Sequence, residues 1–171
     1  MINELNKSLV EGDYIIISLG EELTSLNDNE YIEIVEGIKK KLEGNNYFFI
    51  STDKKPRIRE SSVSEKRIVC PLSEGNPKLE EKQWDFYNKW LASSLGKKLV
   101  IVELGEGFNN PSVVRWPFER IVMINLKSKL FRIHSSLFQV PKEIADRSHA
   151  IKCNSVDFVR EWLKEEYKEV L

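Results

Sequence analysis

Short apolar runs, rich in β-branched and aromatic residues, recur along the chain and alternate with amphipathic stretches. Five of them have the length and the near-continuous apolar character of strands buried on both faces. They lie at 14–19, 47–51, 99–103, 130–134 and 149–153. Residues 67–70 are compatible with a further short strand. Because strands alternate with helices, the sequence predicts an α/β fold: a doubly wound, Rossmann-like parallel sheet of about five or six strands, with 1–171 as one domain.

Two long helices are signalled between the strands. Asn27 can cap a helix with Glu30 three residues later, and apolar residues then follow on one face until Gly44. A second helix is predicted over 78–95, and its aromatic side chains are expected to lie in the core or at an interface.

Three shorter helices are expected in the second half of the chain. Asn110 followed by Pro111 predicts a helix start, and Pro117 should interrupt or kink that helix. A short helix is expected over 141–147, and a closing helix over 155–170.

In a doubly wound sheet, ligands bind outside the carboxyl ends of the strands, where the strand order reverses. The loops after the first four strands are therefore the candidate binding region, at Gly20, Thr52, Gly105 and Ser135. The longest loop, 52–77, has no clear period, and loops of this length are commonly functional or disordered. Its basic residues have no aromatic neighbours for base stacking, which favours a solvated loop over a nucleic-acid site.

Composition changes this picture only slightly. The formal net charge is -1, so bulk charge attracts neither nucleic acid nor an anionic membrane, and neither is expected as a partner. Two cysteines, Cys70 and Cys153, lie far apart and form no zinc-binding pair. The chain also shows no leader-like or membrane-spanning apolar stretch. We therefore expect a cytoplasmic protein without zinc.

The most specific motif follows the strand at 99–103. It reads Glu103-Leu104-Gly105-Glu106-Gly107-Phe108-Asn109-Asn110-Pro111, with Arg115-Trp116-Pro117-Phe118 soon after. Glycines let backbone N–H groups approach a phosphate, and the next helix adds its positive N-terminal dipole. From 98 to about 162 the chain resembles sirtuin domains, especially the bacterial branch encoded beside macrodomains.

This resemblance implies a nucleotide site for NAD or ADP-ribose. The residues that match it or lie on the neighbouring strand ends are Gly20, Thr52, Asp53, Gly105, Gly107, Phe108, Asn109, His134 and Ser135. It also favours a helix over a strand at 121–124. His134 is expected either to touch the adenine ribose or to accept a hydrogen bond in the core, and His149 to be structural.

Three departures from the family pattern bear on activity. The first phosphate loop has Glu21 and Glu22 where the family has small residues, and inward-facing carboxylates would repel a pyrophosphate. No histidine precedes His134, so the family's general base for deacylation is missing and no catalytic residue is assigned. Residues 52–77 replace the zinc-binding insertion. A Cys70 nucleophile with a histidine base finds no support in the spacing.

Three functions remain open at this point. The first is a degenerate sirtuin-like module that binds a nucleotide or a protein and is not a deacylase. The second is an active NAD-dependent ADP-ribosyltransferase, the activity that the resemblance implies for the macrodomain-linked branch. The third is a scaffold or partner subunit without a ligand, for which the acidic N-terminal half and the aromatic helix suggest a protein partner or a homodimer. The orientation of Glu21 and Glu22 discriminates among them.

Overall fold

A computed structural model describes residues 1–165 of the chain. Within that range one sheet is formed by six strands, all parallel: β1 (Tyr14–Leu19), β2 (Tyr47–Ser51), β3 (Ile68–Val69), β4 (Leu99–Leu104), β5 (Lys129–His134) and β6 (Ser148–Lys152). Their spatial order is β3-β2-β1-β4-β5-β6, so the order reverses between β1 and β4. The predicted Rossmann-like, doubly wound α/β fold is confirmed.

Helices cover both faces of this sheet. They are α1 (Ile2–Glu11), α2 (Asp28–Lys41), α3 (Pro77–Ser93), α4 (Arg115–Ile124) and α5 (Ser155–Lys164). Four 3₁₀ segments connect them, at Glu21–Ser25, Arg57–Glu60, Glu65–Arg67 and Lys142–Arg147. No helix within residues 1–165 combines the length and apolar character needed to cross a bilayer.

The alternation of side chains along each strand produces two separate cores. On one face, strand residues such as Ile15, Ile17 and Phe131 pack against α1, α2 and α5. On the other face, Ile16 and Ile101 pack with neighbours from α3, α4 and the 3₁₀ segment Lys142–Arg147. Because both faces are covered, the strands read in the sequence as nearly continuous apolar runs.

The sequence did not predict α1. The helix buries Leu5 and Leu9, one turn apart, against the sheet. Its N-cap is Met1, which makes no side-chain capping bond, and few other apolar residues mark the helical period. The segment therefore lacks both signals that identified α2, namely a capping side chain and a long apolar face.

The predicted start of the fourth helix at Asn110 was wrong. The chain first makes a turn, in which the N–H of Val113 bonds to the carbonyl of Asn110, and α4 begins only at Arg115. Pro117 consequently lies in the first helical turn and does not interrupt the helix. This position tolerates proline because the first N–H groups of a helix have no intrahelical acceptor.

Two other helix predictions differ in detail. The segment expected as a short helix over 141–147 is the 3₁₀ turn Lys142–Arg147. The closing helix is present as α5 up to Lys164, and the rest of its predicted length, 166–170, lies outside the described residues.

The long loop after β2 is held against the neighbouring helical segments. The guanidinium of Arg57 donates to the carbonyls of Leu26 at 2.6 Å and Leu23 at 3.2 Å, and it lies 4.2 Å from the centre of the Tyr31 ring. Arg59 forms ion pairs with Glu65 and Glu80. The basic residues of this loop thus include two that hold the fold together.

Candidate ligand crevice

The point where the strand order reverses lies between the loop after β1 and the loop after β4. Gly105 has a φ of 73°, in the left-handed region that favours glycine. A Cβ added to Gly20 would lie 2.6 Å from the backbone of Gly105 and of Glu106. The two loops are therefore in direct backbone contact at the position where the motif predicts a phosphate.

The region between the loops after β1, β4 and β5 and the start of α5 is here called the crevice. Glu22 points into it, and its carboxylate accepts hydrogen bonds from two separate backbone segments. Oε2 accepts from the N–H of Ser135 at 3.1 Å, and Oε1 accepts from the N–H of Ser155 at 3.0 Å. Ser155 is the first residue of α5, so the helix dipole also favours the negative charge. Burial alone would raise the pKa of Glu22, but the hydrogen bonds from Ser135 and Ser155 hold it below its ordinary value.

Glu21 also points inward, toward the glycine-rich turn. Its Oε1 accepts from the N–H of Asn109 at 3.1 Å. The same carboxylate lies against Gly107, where a Cβ would collide with it. Gly107 thus leaves room for a carboxylate belonging to the chain itself.

The sequence-predicted site residues separate into two groups. Gly20, Gly105, Gly107, Asn109 and Ser135 come together around the carboxylates of Glu21 and Glu22.

Thr52 and Asp53, at the end of β2, make no hydrogen bond to either carboxylate within residues 1–165. The Thr52 N–H instead donates to the carbonyl of Leu19, and burial raises the pKa of Asp53. Phe108 is half exposed, and its ring centre lies 4.4 Å from the guanidinium of Arg115.

The imidazole ring of His134 stabilises the turn after β5. Nδ1 accepts from the N–H of Ser136 at 3.0 Å and from the N–H of Leu137 at 2.9 Å. A nitrogen that accepts two hydrogen bonds carries no proton, so we infer the neutral tautomer with its proton on Nε2. The imidazole holds the turn after β5, whose first N–H binds Glu22.

Comparisons with protein-family models and with curated proteins gave no match.

A polar row that the sequence analysis missed lies beneath the crevice. The strand register places Ser18, Glu103 and Arg132 side by side on β1, β4 and β5. Arg132 donates to both oxygens of Glu103 at 2.9 Å and to Glu119 of α4 at 2.8 Å. The signal was present in the sequence, because a charged residue inside a buried strand needs a partner in the core.

Arg115 and Glu106 extend this row to the glycine-rich turn. Arg115 donates to the carbonyls of Glu106 at 2.9 Å and Leu137 at 2.7 Å, which ties the turns after β4 and β5 together. The Glu106 side chain is buried and accepts from the hydroxyl of Ser18 at 2.5 Å. Burial raises the pKa of Glu106 to about 8, and the nearby charges of Glu103 and Glu21 act in the same direction. Glu106 is therefore largely protonated at neutral pH.

Cys70 and His149, the cysteine and histidine considered in the sequence analysis, are both engaged in packing. Cys70 is fully buried, and burial raises the pKa of its thiol to about 12, so the thiol remains protonated at neutral pH. The ring of His149 stacks on Phe131, with the ring centres 4.6 Å apart. In the described part of the chain, no three His, Cys, Asp or Glu side chains lie close enough together to hold a metal ion.

Proposed function

We propose that this chain is a sirtuin-like module that does not turn over NAD and that acts by binding another protein. The observation that carries the proposal is the inward position of Glu21 and Glu22. Their carboxylates use the N–H groups of Asn109, Ser135 and Ser155 that a nucleotide would need. A diphosphate entering the crevice would have to displace both hydrogen-bonded carboxylates, or bind beside two negative charges.

Exposed aromatic side chains support the protein-binding half of the proposal. Phe86 on α3, Phe108 in the glycine-rich turn and Trp116 on α4 are each about half exposed. Aromatic residues are enriched in the cores of protein interfaces. A groove between α3 and α4, lined by Trp84 and Ile121 among others, lies on the same face of the sheet.

Calorimetric titration with NAD and with ADP-ribose tests the crevice. We expect no heat of binding at millimolar ligand, because the donors of the crevice are already bonded. Nicotinamide release from NAD should likewise be zero. Saturable binding of either nucleotide by the unaltered protein would contradict the proposal.

Nucleotide binding after displacement of the carboxylates is a second candidate. It is favoured by one observation: the N–H groups of Ser135 and Ser155 converge on one anionic group at the start of α5. If the crevice is a nucleotide site closed by its own side chains, Glu21→Gly/Glu22→Ala should bind ADP-ribose where the parent chain does not. Glu33→Ala, an exposed substitution on α2, is the matched control, and circular dichroism shows whether each variant is folded.

Self-association is the simplest form of partner binding to examine. Size-exclusion chromatography with light scattering measures the mass of the chain in solution. If a dimer forms, Trp116→Ala or Phe86→Ala should weaken it, whereas Lys40→Ala on α2 should not. A monomer at all concentrations would exclude the homodimer.

A further inference from the structure

Exposed aliphatic side chains cluster at the amino edge of the sheet, opposite the crevice. Leu95 lies in the turn that enters β4, Ile124 is the last residue of α4, and Leu126 lies in the turn that follows it and enters β5. Their exposed fractions are 58%, 71% and 73%. Because β4 and β5 are neighbours in the sheet, both turns lie at the same edge. Contiguous exposed apolar side chains mark interaction surfaces more often than isolated ones do.

Asn125 holds the two turns together. Its side-chain amide donates to the carbonyls of Ser94 and Lys97, both at 3.1 Å, and the residue itself is buried. The hydroxyl of Ser128 donates to the carbonyl of Asn125 at 2.6 Å. The arrangement of the exposed leucines and isoleucine is therefore fixed by hydrogen bonds rather than left to two independent loops.

Three exposed lysines stand among these aliphatic side chains, namely Lys97, Lys98 and Lys127. Within residues 1–165, none of the three has a carboxylate within ion-pair distance, whereas Arg57, Arg59 and Arg132 are all paired. The acidic groups nearest along the neighbouring α1–β1 turn are Glu11 and Asp13, and the carboxylate of Asp13 accepts the backbone N–H of Lys98 at 3.0 Å. The surface formed by Leu95, Lys97, Lys98, Ile124, Leu126 and Lys127 is here called the amino-edge patch. It combines three aliphatic side chains with three lysines, and the carboxylate of Asp13 lies at its border.

We propose that the amino-edge patch docks onto an anionic lipid surface. The composition of the patch favours a lipid surface over a protein as the binding partner. Protein interfaces are enriched in aromatic residues and arginine and depleted in lysine, but the patch contains aliphatic residues and lysines. A negatively charged bilayer complements the lysine charges and accepts the aliphatic side chains among its headgroups.

The patch supplies two weak attractions that act together. Stable attachment of a peripheral protein generally needs two signals, such as an inserted apolar group and a basic cluster. The formal net charge of -1 does not indicate this surface, because it sums the charges of the whole chain and acidic residues elsewhere cancel the three lysines. The crevice lies at the opposite edge of the sheet, so this inference does not depend on the proposed function.

Vesicle co-sedimentation of the full chain tests the inference. The vesicles contain phosphatidylcholine alone or a 70:30 mixture with phosphatidylserine. We expect binding to the mixed vesicles that weakens as salt rises, and little binding to the neutral ones. Each of Lys97→Gln, Lys98→Gln and Lys127→Gln should weaken binding about five-fold, as follows from about 1 kcal/mol per lysine near the surface.

Controls separate the patch from general charge effects. Lys40→Gln and Lys89→Gln remove equally exposed lysines from α2 and α3 and should leave binding unchanged. Ile124→Asp/Leu126→Asp should abolish it while leaving the circular dichroism spectrum intact, because both side chains are solvent-exposed. The inference would be overturned by a lack of co-sedimentation at low salt, or by equal losses of binding in the control variants. It would also be overturned if the parent chain formed an oligomer that Ile124→Asp/Leu126→Asp dissociates, because the patch would then be a protein contact.

Discussion

Glu22 shows how one side chain can change the chemistry of a loop whose backbone suits an anion. The N–H groups after β5 and at the start of α5 point to a common position, and the carboxylate of Glu22 fills it. A carboxylate supplied by the chain itself loses little rotational and translational freedom on binding, unlike a free ligand. An intramolecular anion therefore competes strongly with a dissolved one.

Glu22→Gln tests the strength of this interaction. The amide keeps one acceptor oxygen but loses the charge and the second acceptor, so one of the two N–H groups, of Ser135 or of Ser155, loses its bond to a charged acceptor. We expect the free energy of unfolding to fall by about 1–3 kcal/mol. Urea denaturation at pH 7 measures the loss, and Glu33→Gln on the exposed side of α2 is the control. Equal stability of the two variants would show that the Glu22 hydrogen bonds contribute nothing.

The two cysteines should differ in reactivity. Cys70 is fully buried with a raised pKa, whereas Cys153 is partly exposed at the end of β6. Ellman's reagent at pH 8 should therefore modify one thiol in the folded chain and two in urea. The variant Cys153→Ser should give no native reaction, and Cys70→Ser should react like the parent. Rapid native modification of Cys70 would contradict the described packing.

At the scale of elements, β1, β4, β5 and α4 share a row of buried polar groups. In this row Arg132 is fully buried and is bonded to two carboxylates, Glu103 and Glu119. Burial alone would lower the pKa of Arg132, and its carboxylate partners raise it above the ordinary value. The ion pairs thus fix α4 over β5 at a position where the other contacts are apolar and less directional.

Replacing one member of this row should lower the free energy of unfolding more than replacing two of them together. Arg132→Leu leaves the buried carboxylate of Glu103 uncompensated, and we expect a loss of about 3–5 kcal/mol in the free energy of unfolding. The double variant Arg132→Leu/Glu103→Leu should recover most of that loss, because no unpaired charge remains on the strands. Urea denaturation of the parent, both single variants and the double variant gives the coupling energy. Additive losses would refute the pairing.

Some elements could be predicted from the sequence more accurately than others. All five predicted strands are present, and four of them are almost wholly buried, which leaves a continuous apolar record in the sequence. The fifth, β6, lies at the edge of the sheet and is only partly buried. The residues of the crevice were located through the switch point of the sheet. The positions of Glu21 and Glu22 could not be predicted, because a carboxylate at the start of a loop satisfies the local pattern whether it faces solvent or an N–H group.

At the scale of the whole molecule, the stability of the fold should depend on the proton of Glu106. Its folded pKa of about 8 lies above the ordinary value of 4.5, so the folded chain binds this proton more tightly than the unfolded chain. The resulting stabilisation is complete below the ordinary pKa and is lost as pH rises toward the folded one. The total change is at most about 5 kcal/mol. Glu21, Glu103, Arg115 and Ser18 surround the carboxyl group and set this balance.

The measurement compares urea denaturation at pH 6 and pH 8.5. The parent chain should be more stable at pH 6, and Glu106→Gln, which resembles the protonated acid, should show a much smaller difference. Glu33→Gln should retain the parental difference. An unchanged pH dependence in Glu106→Gln would assign the effect to another group.

The indole of Trp162 is buried in α5, and its N–H donates to the side chain of Asn6 in α1 at 2.8 Å. This contact spans nearly the whole described chain. During synthesis, α1 leaves the ribosome long before α5, so the side chain of Asn6 stays without the Trp162 indole as its donor until the last described helix emerges. A chain arrested before residue 162 would therefore lack the hydrogen bond that joins its first and last described helices.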